Sequence, residues 1–335
     1  MSRLVVYDLK GFAEGEIRAN CSRGWAINEG GQASAALSRS AALQPFVQFG
    51  RIVTIDHPRL PGWAGMIDTP WTGGVPAQMT IYNAPYLMNI RNPAGPDIMR
   101  GTPGALARRL MSYAQKEGDL QIREGEIEDG GGVREESFDQ RSFWEQLKEF
   151  AKKTGMEVQF RPELGSDNRL AIYMDFKKRL GVDSPFLLHD GPGGNAQFSA
   201  PKIDGDLWNC IRGIGEQASK EARLTAGPVR DEDAISRYRL RSKVSQFKVN
   251  SVSELRGNIE TELASAARPR LELTVKALDK GETFTHLRLG NRLLIHSARV
   301  IIPGGIEGWY GAARIMAMAY DEKSNTVSIK MEALL

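Results

Sequence analysis

The sequence has little cysteine and no long apolar run, and both absences limit what the protein is. Of its 335 residues only Cys21 and Cys210 are cysteines, and neither belongs to a Cys-x-x-Cys pair or a Cys/His cluster. Two such thiols make no disulfide framework, so we expect them to be reduced, in a protein made in the cytosol. No stretch reaches the 18 apolar residues of a membrane-spanning helix. Residues 1–8 are a short apolar run that predicts a first strand and not a secretion signal.

Strong net charge and catalytic motifs are also missing. The 44 basic and 41 acidic residues leave a net charge of +3, too little to indicate a nucleic-acid or anionic-membrane surface. There is no G-x-S-x-G, no phosphate loop, and no histidine three or four residues from another. The acidic residues 124–129 lie beside glycines, and this composition predicts a solvated loop. Because catalytic carboxylates need a fixed separation on rigid elements, these residues do not predict a catalytic acid pair. We therefore expect no enzyme activity, no metal and no cofactor.

What the sequence does contain is one β-pattern that occurs twice, about 240 residues apart. Each copy has a glycine turn, a strand with isoleucine five residues after that glycine, a loop, a Trp-x-Gly unit and a further strand. The residues of the two copies are Gly50, Ile55, Trp63 and Gly65, then Gly290, Ile295, Trp309 and Gly311. The pattern predicts two similar β-barrels. The alternative is a chance likeness between two antiparallel meanders.

The spacing of strands, helices and turns divides the chain into four segments. Short strands punctuated by glycine and proline predict a first antiparallel barrel over residues 1–97. Helices capped by Thr102 and Ser142, followed by a hairpin, predict an inserted α/β domain over 98–183. Residues 184–205 are interpreted as a return to the first barrel, and 206–335 as a second barrel with one helix, 251–267, and a charged, solvated loop at 217–242. The predicted fold class is mainly β (α+β): two similar antiparallel β-barrels with a small inserted α/β domain.

The tryptophans suggest surfaces where other molecules bind. Trp63 and Trp309 hold matching places in the repeat, which favours barrel closure or contacts between subunits. Trp71 lies between Pro70 and a glycine pair, so it is the best candidate for an exposed interface residue. The alternative function is a carbohydrate-binding module that uses Trp71 and Trp25 as stacking platforms.

The order of these elements, with several short patterns, resembles the baseplate hub or tail-tip hub proteins of tailed bacteriophages and related contractile injection systems. The resemblance covers nearly the whole chain. The residues that carry it are Gly50, Val53, Ile55, Gly65 and Ile67, the segment 207–211, a helix at 253–267, the segment 268–275 and the segment 287–291.

The resemblance implies a structural virion protein located in the tail. It would be a homotrimer whose two barrels per chain form a pseudo-sixfold ring. One face would bind the hexameric tail tube or distal tail protein, and the other a spike or fibre. DNA or a tape-measure protein would occupy the central channel. Many hubs continue into lytic or fibre domains; this chain stops at Leu335, so we expect such activities in a partner.

Two polar strand faces are candidates for lining that channel. One carries Glu272, Thr274 and Lys276, and the other carries Ser328, Lys330 and Glu332. The alternatives to a hub are a hexameric distal tail or tube protein, which usually has one barrel per chain, the carbohydrate-binding module, and a peptidoglycan hydrolase. The missing catalytic residues argue against the last of these.

Overall fold

The computed structural model describes residues 1–72, 77–91, 98–116, 118–138, 141–199, 201–204, 207–215, 223–247, 249, 251–302 and 306–334. Side chains of 71–72, 203–204, 299–302, 306–307 and 334 also lie outside the described part. Among the residues selected from sequence, this leaves the side chain of Trp71 undescribed, while the backbone of Trp71 lies in a strand.

The first barrel is a closed ring of six antiparallel strands. Its elements are β1 (Ser2–Tyr7), β2 (Ala13–Ala26), β3 (Gln32–Leu37), the one-turn helix α1 (Arg39–Ala42), β4 (Ile52–Asp56), β5 (Trp63–Thr72) and β6 (Ala77–Asn83). The strand order is β1-β4-β5-β6-β3-β2, and β2 pairs back with β1. The closure follows from sequence alternation: in β3, Ala33, Ala35 and Leu37 point into the barrel and the residues between them point out.

An α/β unit follows, as the sequence predicts. It contains α2 (Pro85–Asn89), β7 (Ile98–Gly101), α3 (Pro103–Ala114), β8 (Ile122–Ile127), β9 (Arg134–Ser137), α4 (Phe143–Thr154), β10 (Glu157–Leu164) and β11 (Leu170–Lys177). The side chains of Thr102 and Ser142 cap α3 and α4, and Gly155 ends α4 with φ +65°. The acidic stretch 124–129 is not a loop throughout, because β8 pairs in parallel with β11 and 124–127 belong to that strand.

Residues 183–266 form two groups of elements. The first group is β12 (Asp183–His189), β13 (Ala196–Phe198) and β14 (Lys202–Asp204). The second is a small α/β unit: β15 (Cys210–Gly215), β16 (Thr225–Arg230), α5 (Glu232–Tyr238), β17 (Ser242–Phe247) and α6 (Val252–Ala266). The prediction of a solvated loop at 217–242 is wrong where the chain is described, because β16 and α5 lie there and β16 pairs with β15. Residues 216–222 lie outside the described part.

The remaining elements complete a second barrel. They are β18 (Arg270–Leu278), α7 (Thr283–His286), β19 (Arg292–Ile302), β20 (Ile306–Asp321) and β21 (Thr326–Leu334). Pairing gives the order β12-β19-β20-β21-β18-β13, with β14 also on β18. The segment 184–205 therefore pairs with the second barrel and does not return to the first, because β12 bonds β19 and β13 and β14 bond β18.

The two barrels have the same strand plan. Strands β1 to β6 correspond in chain order and sheet order to β12, β13, β18, β19, β20 and β21, and the one-turn helices α1 and α7 occupy the same step. They differ at one seam. β12 runs parallel to β19, and the described residues show no β12–β13 ladder. Instead the Asn195 amide donates to the Leu187 carbonyl and accepts from the His189 N–H, both at 3.0 Å.

The barrels share one hydrophobic core. The long strand β2 leaves the first barrel and continues along β20, where Ser22 faces Asp321 and Ala26 faces Ala317. Buried side chains of both barrels form a single cluster there. A second cluster packs α3 and α4 against the outside of the first barrel, and a third lies under α6.

A largely buried charge network joins the inserted domain to the small α/β unit. Glu136 of β9 is 7% exposed and lies 3.0 Å from Arg134 and 2.8 Å from Lys153 of α4. Glu254 of α6 lies 3.7 Å from Arg134, whose guanidinium also donates to Asn258 at 3.1 Å. The two peripheral units are therefore tied to each other as well as to the barrels.

Candidate functional site

Within the described ranges, no three His, Cys, Asp or Glu side chains come together in a way that could hold a metal ion. The histidines are dispersed among aromatic rings: His57 lies 5.2 Å from Tyr320 and His286 stacks on Phe186 at 4.2 Å, centre to centre. No helix in the described part is long and apolar enough to span a bilayer. The features with the clearest organisation are instead the paired barrels and the surface of the sheet that connects them.

The two glycine turns found in the sequence have the same geometry. Gly50 and Gly290 have φ of +81° and +79°, a region that glycine enters without steric cost. Each donates its N–H at 2.9 Å to an isoleucine carbonyl, Ile67 for Gly50 and Ile315 for Gly290. The same isoleucine then donates its N–H back to the residue after the glycine, at 2.8 and 2.9 Å. These turns fix where β4 meets β5 and where β19 meets β20.

The strand register does not give the two tryptophans matching places. Ile55 faces Trp63, whereas its counterpart Ile295 faces Gly311. Trp309 lies two residues farther on, opposite Ser297. A shift of two residues keeps a side chain on the same face of a strand, so both indoles stay on the inner side. The sequence pattern matches Trp63 with Trp309, whereas the strand pairing matches Trp63 with Gly311, two residues later.

Each Trp-x-Gly unit nevertheless packs in the same local way. A Cβ placed on Gly65 would lie 2.7 Å from the Trp63 ring, and one placed on Gly311 would lie 2.5 Å from the Trp309 ring. The Trp309 ring is therefore what requires glycine at 311, whereas at Gly65 the Tyr82 carbonyl oxygen would lie closer still to a Cβ, at 2.2 Å. Trp63 is 2% exposed, and its indole N–H donates to the Gly24 carbonyl at 2.9 Å. Trp309 is only half-buried.

A buried arginine lies where the two barrels join. Arg23 of β2 is 2% exposed, and its guanidinium carbon lies 5.5 Å from the centre of the Trp25 ring and 5.0 Å from that of Tyr320. One nitrogen contacts the Ser2 hydroxyl at 3.3 Å, while Nε and the other terminal nitrogen have no hydrogen-bond partner in the described part. Burial lowers the pKa of Arg23. Its ring contacts connect β2 of one barrel to β20 of the other.

The connected sheet presents one uninterrupted outer face across both barrels. The strands follow the order β6-β3-β2-β20-β21-β18-β13. Their outward side chains are mostly small or uncharged, with few charges of either sign. They include Gln78, Thr80, Ser34, Ala36, Asn20, Ser22, Ala317, Ala319, Asp321, Ser328, Lys330, Glu332, Arg270, Glu272, Thr274, Lys276 and Gln197. We call this surface the polar face.

The sequence located half of the polar face. Thr274 faces Lys330 and Lys276 faces Ser328 across the β18–β21 pair, so the two polar rows chosen from sequence lie side by side. The half on β2, β3 and β6 was not chosen. Its signal was present in the alternation of Asn20 and Ser22 with buried neighbours, but only the pairing of β2 with β20 shows that both halves are continuous.

No protein-family model matches the chain, and neither does any curated protein. Solved structures do share its fold. The prophage tail protein gp18 from Listeria monocytogenes EGD-e superposes with a TM-score of 0.62 at 14% identity, over 99% of this chain and 94% of that one. The 43 kDa tail protein of prophage MuSo2 from Shewanella oneidensis gives 0.58 at 12% identity, over 98% of both chains.

A third similar structure belongs to a secretion system. The E. coli c3393 protein, described as a component of the type VI secretion system with structural similarity to the T4 bacteriophage tail proteins gp27 and gp5, gives a TM-score of 0.52. Its identity is 8%, over 100% of this chain and 75% of that one. At these identities the likeness establishes the fold, which is that of phage tail proteins.

Proposed function

We propose that this chain is a structural protein of a phage-like tail, namely the trimeric hub at the tail tip or baseplate. The observation that carries the proposal is the duplicated barrel: two six-stranded units with the same strand plan in one chain. Three copies would present six similar barrels. Such a ring matches sixfold symmetry on one side and threefold symmetry on the other.

This symmetry assigns the partners by class. The six-barrel side suits a hexameric tail tube or distal tail protein, and the threefold side suits a spike or fibre. The fold that the chain shares with the Listeria and Shewanella tail proteins supports a place in a tail. The type VI secretion component, which is itself structurally similar to the T4 tail proteins gp27 and gp5, supports the same place in a tail-like assembly. The protein's work would then be done by surfaces and not by catalysis.

The polar face suits the wall of the central channel. A channel that passes DNA must not bind phosphates, because each lysine or arginine that neutralises a phosphate adds affinity. The face carries Arg270, Lys276 and Lys330 beside Glu272, Glu332 and Asp321, so its charges cancel, and Arg270 lies 3.4 Å from Glu332. Serine, threonine, asparagine and glutamine occupy most of its other positions. DNA or a tape-measure protein would therefore slide past it.

The mass of the native particle tests the proposal. We expect light scattering or native mass spectrometry to give three times the 37.0 kDa chain mass, about 110 kDa, and averaged electron images to show a ring of six lobes. A hexamer with one ring would instead support the distal tail or tube protein. A chain that stays monomeric at every concentration contradicts the trimer, and binding of that monomer to glycans would support the carbohydrate-binding module.

A further inference from the structure

The first barrel has a free strand edge at residues 68–72 of β5. β4 pairs with β5 only as far as Met66, and Ile67 closes that ladder through its bonds to Gly50 and Arg51. Beyond Ile67 the strand keeps β6 on one side, where Thr69 faces Thr80. On its other side the described residues show no backbone partner.

The matching edge of the second barrel is occupied. Both strands carry a one-residue bulge at the same place: Ile67 and Thr69 face consecutive residues of β6, as Ile315 and Ala317 do on β21. Residues 68–72 therefore correspond to 316–320. In the second barrel this edge pairs with β2, and the Ile27 N–H donates to the Met316 carbonyl at 3.0 Å. Within one chain, the contact between barrels is thus a β2-type strand on a β5-type edge.

The second barrel has the other half of such a contact. β13 and β14 correspond to β2, because they pair with β18 as β2 pairs with β3, the counterpart of β18. In the described part β13 and β14 form ladders only with β18. Lys202 faces Glu272, whose counterpart in the first barrel is Gln32. The β2–β3 ladder ends at the pair Arg23–Ala33, and one further step of the same register brings Gly24 opposite Gln32. Lys202 therefore takes the place of Gly24, which pairs with Ala319 across the junction within the chain. Ala319 in turn corresponds to Trp71.

We propose that β14 of one copy pairs with residues 69–71 of β5 in a second copy, which repeats between chains the β2–β20 junction made within each chain. The inference rests on the proposed function and specifies its subunit interface. It pairs Lys202 with Trp71 and position 204 with Thr69, antiparallel. The contact is heterologous, and three copies close into a ring when each contact rotates the next copy by one third of a turn.

Pro70, in the free edge of β5, is compatible with pairing to β14 of a second copy. Proline is tolerated on edge strands, and Pro70 takes the place of Met318, which faces Trp25 inside the chain. Because Pro70 has no N–H, only its carbonyl can bond across the interface, and the edge is a poor template for unselective pairing. The pairing also joins the polar faces of neighbouring copies into one wall, because it extends the same sheet.

Cysteine pairs test the register directly. The variant Thr69→Cys with Asp204→Cys joins positions equivalent to Ala317 and Ala26, which face each other in the chain. Its matched control is Thr69→Cys with Gln197→Cys, which uses an exposed position on the same edge but far out of register. The native thiols will not interfere: both are buried, and burial raises the pKa of Cys21 to about 12.

Under mild oxidation we expect the in-register variant to give covalent trimers, at least about tenfold more than the control, because a disulfide needs Cα atoms within about 7 Å. Mixing the Thr69→Cys chain with the Asp204→Cys chain should give linked pairs, which only contact between chains can produce. Trp71→Cys with Lys202→Cys is a second in-register pair, used if the first variant does not fold.

The outcomes separate this inference from the proposed function. If native mass spectrometry shows trimers but neither in-register pair cross-links above the control, the interface is wrong and the hub stands. If the wild-type chain is monomeric at every concentration and no pair cross-links, both fail. Equal cross-linking by the control and the in-register pairs also overturns the assigned register.

Discussion

Arg23 stacks on Tyr320 across the junction of the two barrels, with its guanidinium carbon 5.0 Å from the centre of the ring. The arginine comes from β2 and the tyrosine from β20, which are hydrogen-bonded neighbours and face each other in register. Arg23 is 2% exposed and two of its nitrogens have no hydrogen-bond partner in the described part, so burying its charge carries a desolvation cost in free energy. The attraction between the guanidinium and the two aromatic rings offsets part of that desolvation cost.

We therefore predict that Arg23→Met leaves the free energy of unfolding within about 1 kcal/mol of wild type or raises it, because methionine keeps most of the volume and removes the buried charge. Arg23→Ala should lower it by about 2–4 kcal/mol, because a cavity remains. Urea denaturation of the two variants checks this. A loss above about 2 kcal/mol in the methionine variant would show that the guanidinium stabilises the junction.

His57 lies at the same junction, with its ring 5.2 Å from that of Tyr320. Its Nδ1 accepts N–H bonds from Arg59 and Leu60, both at 3.2 Å, so a proton on Nδ1 would break two backbone bonds. Burial and then the charge of Arg23 lower the pKa of His57 below its ordinary 6.5, against the opposing effect of nearby Asp279 and Glu322. The folded protein therefore binds the proton less well than the unfolded chain does.

We predict that His57 adds stability above pH 6.5, and that this contribution is lost as the pH falls from 6.5 toward the lowered folded pKa. The variant His57→Asn keeps an acceptor in the place of Nδ1 but does not titrate. Melting temperatures between pH 5 and 7.5 should therefore fall more steeply on acidification for wild type than for the variant. Parallel pH profiles for the two proteins would show that His57 is not the titrating group.

Gly50 and Gly290 allow a matched test of the two turns. Their φ angles are +81° and +79°, so an added Cβ meets the same backbone strain, about 1–2 kcal/mol, at both. Their surroundings differ: a Cβ on Gly50 has no atom within 4 Å, whereas one on Gly290 would lie 2.2 Å from the Leu180 carbonyl oxygen. Gly290→Ala should therefore destabilise by about 1–3 kcal/mol more than Gly50→Ala.

Urea denaturation of both alanine variants measures that difference. Equal losses would mean that the segment at Leu180 moves aside readily, so that the close backbone contact at Gly290 contributes little. The comparison has a built-in control, because both glycines make the same 2.9 Å N–H bond to an isoleucine carbonyl and both variants can retain it.

The sequence predicted the elements better than it predicted how they assemble. The capping residues Thr102 and Ser142 each accept the expected backbone N–H, because capping depends only on residues three apart. The place of β12–β14 could not be read in this way. Those strands are short, and only their long-range bonds to β18 and β19 show which barrel they join.

The candidate surface shows the same limit. The polar rows on β18 and β21 could be found from the sequence, because the alternation of polar and apolar residues along a strand is a local pattern. The match between Trp63 and Trp309 was a local pattern too. In the structure Trp309 lies two residues away from the position that corresponds to Trp63, because the loops before the two tryptophans differ in length. Which strand edges stay free, as at residues 68–72, depends on every pairing in the barrel and has no local signal.

The two tryptophans should separate barrel closure from assembly. Trp63 is 2% exposed and bonds the Gly24 carbonyl, so Trp63→Ala should cost about 3–5 kcal/mol of unfolding free energy and leave that carbonyl without its indole partner. Trp309 is half-buried, so Trp309→Ala should cost about 1–2 kcal/mol. Denaturation and native mass, measured on both variants, distinguish the two roles. A folded Trp309→Ala chain that no longer forms trimers would make Trp309 an interface residue. Wild-type folding and assembly in both variants would show that neither tryptophan closes a barrel, and the shared Trp-x-Gly packing would then be only a local consequence of the glycine that follows each ring.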